Sequence, residues 1–173
     1  MTRIIGIDPG SRVTGYGIID YANRRVTHVS SGCINTSRGT LPERLKEIFV
    51  GVADLLVQYQ PDELAIEKVF VQKNVDSALK LGQARGAAIC AAVTRDIPVA
   101  EYSPNQIKQA VVGKGHAAKD QVQHMVCILL KLSEPPSNDA SDALACALCH
   151  GHTRETLGRF NGEHLRIGRG RLR

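Results

Sequence analysis

The first part of the chain alternates short apolar runs with turn-forming residues. The segments 3–8, 15–20 and 25–36 each contain β-branched residues, and the first ends at Pro9-Gly10. Such runs, separated by turn signals, are typical of β-strands. The sequence therefore begins with three predicted strands that are joined by short turns into a meander.

The rest of the chain changes from the strand pattern to the helical one and back. Apolar residues recur every three or four positions over 41–59, which predicts a long amphipathic helix that stops before Pro61. The remaining predicted elements are strands over 63–69 and 97–102, and helices over 76–96, 103–112, 117–131 and 138–150. This order predicts the α/β class, with a five-stranded mixed sheet flanked by helices.

Length and charge suggest one domain followed by a basic tail. A chain of 173 residues buries enough surface to form a single core. Its net charge is +5, but residues 154–173 alone carry six Arg and two Glu, or +4, which leaves +1 for the rest. We therefore expect a compact domain over 1–153 and a flexible basic segment over 154–173 that is attracted to polyanions.

The five cysteines favour reduced thiols. Their number is odd, and no apolar run at the N-terminus is long enough for a signal peptide or a membrane span, so a cytoplasmic protein with no membrane association is expected. The run from Cys146 to His150 fits the c-type haem pattern C-x-x-C-H. Because haem attachment of that kind belongs to exported proteins, we expect no haem. These cysteines are expected to fill the buried face of a helix.

Four acidic residues stand at positions where function is common in α/β proteins. Asp8 ends the first strand, Glu67 lies near the end of the fourth, and Asp139 and Asp142 open the last helix. Structural roles are open to three of them, as a turn residue at position 8 and as first-turn acids at 139 and 142. Glu67 has no such explanation, because a carboxylate within an apolar strand needs a partner.

Convergence of these acids would call for bound cations. Two carboxylates about 5 Å apart repel each other by roughly 3 kcal/mol at an effective dielectric constant of 20. Oxygen-only ligands favour Mg²⁺ or Mn²⁺ over zinc. Two such ions, about 4 Å apart, are able to activate a water molecule and stabilise the leaving oxygen of a phosphodiester.

Four longer motifs resemble the RuvC family, the bacterial Holliday junction resolvases. They are GIDPGSRVTGYG at 6–17, IEKVFVQKNVDSALKLGQARGAA at 66–88, QIKQAVVGKGHAAKDQVQ at 106–123 and DASDALA at 139–145. The resemblance implies a ribonuclease H-like fold, a homodimer and nicking of two opposed strands of a four-way DNA junction with two Mg²⁺ ions per active site. The family's catalytic and metal-binding acids fall on Asp8, Glu67, Asp139 and Asp142, while Lys68 stands where family sequences often have Gln.

The same resemblance implies contacts with DNA. Lys108 and Lys119 occupy positions near the scissile backbone, and Phe70 lies near the junction centre, where it would stack on a base. Lys114 is a further candidate for DNA binding, and Lys73, Asn74 and Arg85 are weaker ones. On residue type alone, each lysine also fits a solvated surface. The resemblance further implies work beside the RuvA and RuvB branch-migration proteins.

Other interpretations remain open at the level of sequence. Gly82 and Gly86 form a small-residue stripe that fits either a dimer contact or close packing on the chain's own sheet. The opening G-I-D-x-G also occurs in YqgF-like proteins and in actin-type ATPases. A DNA-binding module without catalysis is a third alternative, but clustered acids would weaken phosphate binding rather than support it.

Overall fold

The structure is a computed structural model that describes the backbone of residues 1–69 and 74–168 and the side chains of 1–69 and 74–157. Its strands are β1 (Thr2–Asp8), β2 (Val13–Ala22), β3 (Arg25–Asn35), β4 (Glu63–Glu67) and β5 (Val99–Tyr102). Its helices are α1 (Leu41–Tyr59), α2 (Val75–Val93), α3 (Pro104–Val112), α4 (Lys119–Leu130) and α5 (Asn138–Gly168). None of the helices in these ranges is long and apolar enough to cross a membrane. The predicted α/β class and element order are confirmed.

The five strands form one mixed sheet in the order β3-β2-β1-β4-β5. The strands β1, β2 and β3 pair in antiparallel fashion, as predicted for a meander, whereas β1, β4 and β5 are parallel. The register places Ile7 beside Ile66. Because Asp8 and Glu67 directly follow this pair, the parallel strands end side by side at the same edge of the sheet.

Helices cover both faces of this sheet and create two cores. Successive side chains of a strand point to opposite faces, so Ile4 packs with α3, α4 and α5 while Ile5 packs with α1 and α2. Both isoleucines are fully buried. Because helices bury both faces of the sheet, β1 and β4 are apolar along nearly their whole length.

Glycines allow α5 to lie directly on the first two strands. A Cβ atom built on Gly15 would lie 2.0 Å from the carbonyl oxygen of Asp139, and one on Gly6 would lie 2.0 Å from that of Ala143. Gly15 pairs with Asp8 in the sheet. The close approach at Gly15 therefore brings the first turn of α5 next to the end of β1.

The last helix is longer than its sequence pattern indicates. It continues from Asn138 to Gly168 instead of ending near residue 150, so the predicted helix end was wrong. The hydroxyl of Tyr21 donates to Glu155 (2.8 Å), which holds this continuation against β2. The division at residue 153 into a domain and a flexible tail stays a prediction.

The cysteines of α5 face the protein interior, as predicted. Cys146 and Cys149 are each 1% exposed, and burial raises the pKa of the Cys149 thiol to about 11. The adjacent His150 forms hydrogen bonds with Tyr102 and Glu63. The C-x-x-C-H run is thus part of the core between α5 and the sheet.

Candidate active site

Three of the four predicted acids open into one cavity at the carboxyl edge of the parallel strands. Asp8, Glu67 and Asp142 line this space, whose volume is about 620 Å³. The rest of its wall is formed by three lysines, by one residue of the β1–β2 loop and by residues of the β4–α2 segment and of α2, α3 and α4, namely Lys68, Lys108, Lys119, Pro9, Val69, Asn74, Ser77, Ala78, Leu81, Pro104, Ile107 and Val122. The cavity therefore combines carboxylates, ammonium groups and apolar side chains.

The strand ends that carry Asp8 and Glu67 are fixed by neighbouring side chains. Arg85 of α2 donates through Nε to the main-chain carbonyl oxygen of Glu67 (3.0 Å) and forms an ion pair with Glu101. The buried Thr14 hydroxyl donates to the carbonyl oxygen of Gly10 (2.8 Å), in the loop that follows Asp8. Arg85 was considered only as a weak DNA contact, and Thr14 was not singled out.

Arg44 of α1 also holds the loop that follows Asp8. Its Nη1 donates to the carbonyl oxygen of Ser11 (3.0 Å), while its buried Nε has no hydrogen-bond partner among the described residues. The side chain is 9% exposed. Position 44 lies within an amphipathic helix, where a basic residue normally faces water, so the sequence contained no signal for this contact.

The acids of α5 do not cap their helix. The hydroxyl of Ser137 accepts a hydrogen bond from the backbone N–H of Ala140 (3.4 Å). Asp142 instead accepts a hydrogen bond from the Nζ of Lys119, at 3.1 Å. Asp142 therefore makes a contact between two helices, α4 and α5, instead of stabilising the first turn of its own helix.

The acidic residues interact electrostatically. Burial, followed by the charges of Asp142, Glu67 and Asp139, raises the pKa of Asp8 to about 8, and Lys119 opposes this shift. Burial and Asp142 also raise the pKa of Glu67, against the opposing effect of Lys119 and Lys108. The structure thus places Asp8 within reach of the charges of the other three predicted acids.

This set of side chains fits a divalent cation by its chemistry. The acids offer only oxygen donors, and a bound cation would relieve the unfavourable burial of Asp8 beside three like charges. In the described part of the chain, no group of three or more His, Cys, Asp or Glu side chains is already arranged to hold a metal ion. Asp142 is engaged by Lys119 instead. The carboxylates therefore share one environment without forming a closed ligand set.

The predicted DNA-binding residues differ in their relation to this cavity. Lys108 and Lys119 line it, whereas Lys114 is exposed in the loop between α3 and α4. Phe70 and Lys73 lie outside the described residues. Lys68, which was noted only as a departure from the family pattern, also lines the cavity. Three cations therefore accompany the acids.

Sequence comparison identifies relatives over the whole chain. A family model described as crossover junction endodeoxyribonuclease RuvC matches residues 4–150. A protein of that name from Aeromonas hydrophila is 58% identical over 173 residues, which is 100% of both chains. Another, from Shewanella sediminis, is 60% identical over 162 residues, or 94% of each chain.

Solved structures agree with these relatives. The structure of Thermus thermophilus RuvC in complex with a Holliday junction substrate is 35% identical, with a TM-score of 0.81, and the match covers 87% of this chain and 93% of that one. A yeast mitochondrial Holliday junction resolvase is 11% identical with a TM-score of 0.67, covers 96% and 86%, and supports the fold alone. The expected ribonuclease H-like fold is confirmed. The chain belongs to the RuvC family of crossover junction endodeoxyribonucleases.

Proposed function

We propose that this protein resolves Holliday junctions by divalent-metal-dependent hydrolysis of phosphodiester bonds at the acidic cavity. One observation carries the proposal: Asp8, Glu67 and Asp142 converge on one open cavity, and Asp8 is half-buried among like charges. Such an arrangement weakens a fold unless cations bind there. Membership of a family of junction endonucleases gives the substrate class.

The four acids would hold the metal. Asp8, Glu67, Asp139 and Asp142 supply the carboxylate oxygens, and Mg²⁺ is the ion that we propose, with Mn²⁺ as a substitute. A pair of bound ions supplies an activated water nucleophile and stabilises the leaving oxygen of the phosphodiester. The strand ends keep Asp8 and Glu67 in fixed positions, because the residues before them, Ile7 and Ile66, are buried and paired between the parallel strands β1 and β4.

The lysines would position the DNA backbone. Lys108 lines the cavity and, within the described residues, forms no ion pair, so its ammonium group is available to a phosphate. Lys119 lies nearer the acids, and Lys114 would contact the backbone from the exposed loop. Phe70 and Lys73 are proposed to contact the junction on the strength of the family resemblance alone. Binding that depends on these cations should weaken steeply with salt.

The central test compares a synthetic four-way junction with a linear duplex of matching sequence, each with and without Mg²⁺. We expect paired, ligatable nicks in the junction only, and only when Mg²⁺ is present. Asp8→Asn and Glu67→Gln should bind the junction like the wild type in a gel-shift assay but should not cleave it. Equal cutting of duplex and junction would indicate a general nuclease, and undiminished cleavage by either variant would contradict the assigned roles.

We further propose that the protein acts as a homodimer through an exposed stripe on α2. Val75, Leu79 and Val93 are at least half exposed, and a Cβ atom built on Gly82 or Gly86 would meet no atom within 4 Å. These five residues follow the 3.5-residue repeat of a helix–helix seam. Packing of the glycines on the chain's own sheet, the alternative considered from the sequence, is excluded by the open space around them.

The dimer is tested by placing a charge on this stripe. Leu79→Arg should convert a dimer into a monomer in sedimentation velocity experiments and should turn paired nicking into single nicks. Val57→Arg is the matched control, because Val57 is as exposed as Leu79 but lies on α1, off the stripe. Cys90, which is exposed near the same stripe, offers a site for crosslinking two copies. A Leu79→Arg protein that remains dimeric would rule out this interface.

Two further partners are proposed from the family alone. RuvA and RuvB, the branch-migration proteins, would act on the same junction. Addition of both proteins to a cleavage reaction should change the rate or position of cutting by this protein. A rate and position that stay unchanged at saturating RuvA and RuvB would speak against a joint complex.

A further inference from the structure

Lys119 lies among the acidic residues of the cavity. Its Nζ is 3.1 Å from Oδ2 of Asp142, and the lysine side chain is 76% exposed while that of Asp142 is 28% exposed. The lysine is the first residue of α4, and the aspartate is in the second turn of α5. The ion pair thus joins two helices across the mouth of the cavity.

The charge of Lys119 acts on more than its direct partner. It opposes the rise in the pKa of Asp8 and of Glu67, and its own pKa is raised by Asp142 first and by these two acids as well. Lys108 lines the same cavity, but it acts on Glu67 only and makes no ion pair within the described ranges. The two lysines therefore differ in how closely they are coupled to the acidic residues.

An ammonium group in this position serves the same electrostatic need as a metal ion. The acids are half-buried near one another, yet within residues 1–69 and 74–157 no three of them are arranged around a common point. Asp142 is turned to Lys119. A single positive charge thereby offsets part of the repulsion that the carboxylates would otherwise experience.

We infer that Lys119 is a built-in counter-ion, which holds Asp142 in the metal-free protein and competes with the divalent ion for it. This inference rests on the proposed metal-binding role of the acids. Metal binding would release the ammonium group from Asp142 and make it available to a DNA phosphate. Because the ion pair is lost when the metal binds, the free energy that it contributes to the metal-free protein weakens metal binding by the same amount.

The first test measures Mn²⁺ affinity without DNA, by isothermal titration calorimetry on the full chain. Lys119→Met should lower the dissociation constant about 5- to 10-fold, within the usual range of coupling between two ligands. Lys108→Met is the matched control and should change it less than 2-fold. Lys119→Arg keeps the charge and should retain the wild-type constant. An unchanged constant in Lys119→Met, or an equal change in Lys108→Met, would overturn the inference.

The second test follows thermal unfolding with and without saturating Mn²⁺. Without metal, Lys119→Met should melt about 2 to 4 °C below the wild type, and saturating Mn²⁺ should close this gap. A gap that persists at saturation would show that the ion pair is structural only. If neither protein binds Mn²⁺, the proposed metal centre fails and this inference fails with it. If the wild type binds Mn²⁺ but does not cleave the junction, the proposed function alone is contradicted.

Discussion

Two glutamates at opposite ends of β4 experience opposite environments. Glu63 begins the strand, where it forms a hydrogen bond with Nε2 of His150 and an ion pair with Nε of Arg154 (2.8 Å). Glu67 ends the strand, and its carboxylate has no hydrogen-bond or ion-pair partner among the residues that the structure describes, while Asp142 lies near enough to repel it. Both glutamates meet side chains of the same helix, α5.

The difference separates stability from function within one strand–helix pair. At the Glu63 end, His150 Nδ1 also bonds to the hydroxyl of Tyr102 (2.7 Å), so both ring nitrogens are satisfied. At the Glu67 end, half-buried like charges lie together, and Lys119 and Lys108 offset their repulsion only in part, since the pKa of Glu67 stays raised. A fold maintains such an unfavourable group only when the rest of the structure enforces it, and such places are typically functional.

Replacement of each glutamate by glutamine should affect different properties at the two ends of β4. Glu67→Gln should reduce junction cleavage by about 10³-fold or more, because a proposed metal ligand is lost, without lowering the free energy of unfolding. Glu63→Gln should keep cleavage within a few-fold but lower the free energy of unfolding by about 2 to 3 kcal/mol. Cleavage assays and urea denaturation of both variants measure these effects. Equal losses of stability in the two variants would remove the distinction.

Neutralisation of Asp8 should stabilise the metal-free protein. Its pKa of about 8 in the folded protein lies above the unfolded value near 4, so the folded protein binds a proton more tightly and loses stability as pH rises from 4 to 8. Asp8→Asn removes this loss and should raise the free energy of unfolding on the order of 2 to 3 kcal/mol at pH 7.

The pH dependence provides the control for that prediction. The gain from Asp8→Asn should be near zero at pH 4 and should grow until the pH has passed the folded pKa of about 8, as measured by urea denaturation in the presence of EDTA. Saturating Mg²⁺ should stabilise the wild type more than the variant. A variant that is less stable than the wild type at pH 7 would show that Asp8 has a structural partner.

The sequence allowed the fold to be predicted and the acids to be singled out as candidates, because both leave local signals. Apolar runs and periodicity define the elements, and Glu67 is conspicuous as an acid in an apolar strand. The pattern failed at the end of α5, because the helix continues beyond the apolar stripe that was used to detect it. Convergence of Asp8 with Glu67 depends on the order of strands, which the family resemblance supplied.

Contacts between distant residues had no such signal. Lys119 and Asp142 are 23 positions apart, and Glu63 and His150 are 87 apart. Lysine at the start of a helix and histidine after a cysteine are both compatible with solvent exposure, so neither residue type indicates its partner. These pairings follow from how α4 and α5 pack on the sheet, which short-range patterns do not encode.

Removal of the Tyr102 hydroxyl tests how much its hydrogen bond to His150 stabilises the Glu63 end of β4. Burial raises the pKa of Tyr102 to about 12, so its hydroxyl stays protonated and is available to donate to His150. Tyr102→Phe keeps the ring but leaves Nδ1 of His150 unpaired, and it should lower the free energy of unfolding by about 1 to 2 kcal/mol. The urea midpoint should shift at constant slope, with cleavage unchanged. A neutral result would mean that water replaces the hydroxyl.

The smallest effect is expected from Arg154, which shares Glu63 with His150. Its side chain is 52% exposed, and exposed ion pairs typically contribute between 0 and 1 kcal/mol. Arg154→Met should therefore lower the free energy of unfolding by about 0.5 kcal/mol, and 1 M salt should remove the difference. Arg24→Met, which breaks a similarly exposed pair with Glu155, is the control. If Arg154→Met costs as much as Glu63→Gln, the exposed ion pair and not the buried histidine holds this end of β4, and the contrast with Glu67 would then reflect solvent access and not compensation by the core.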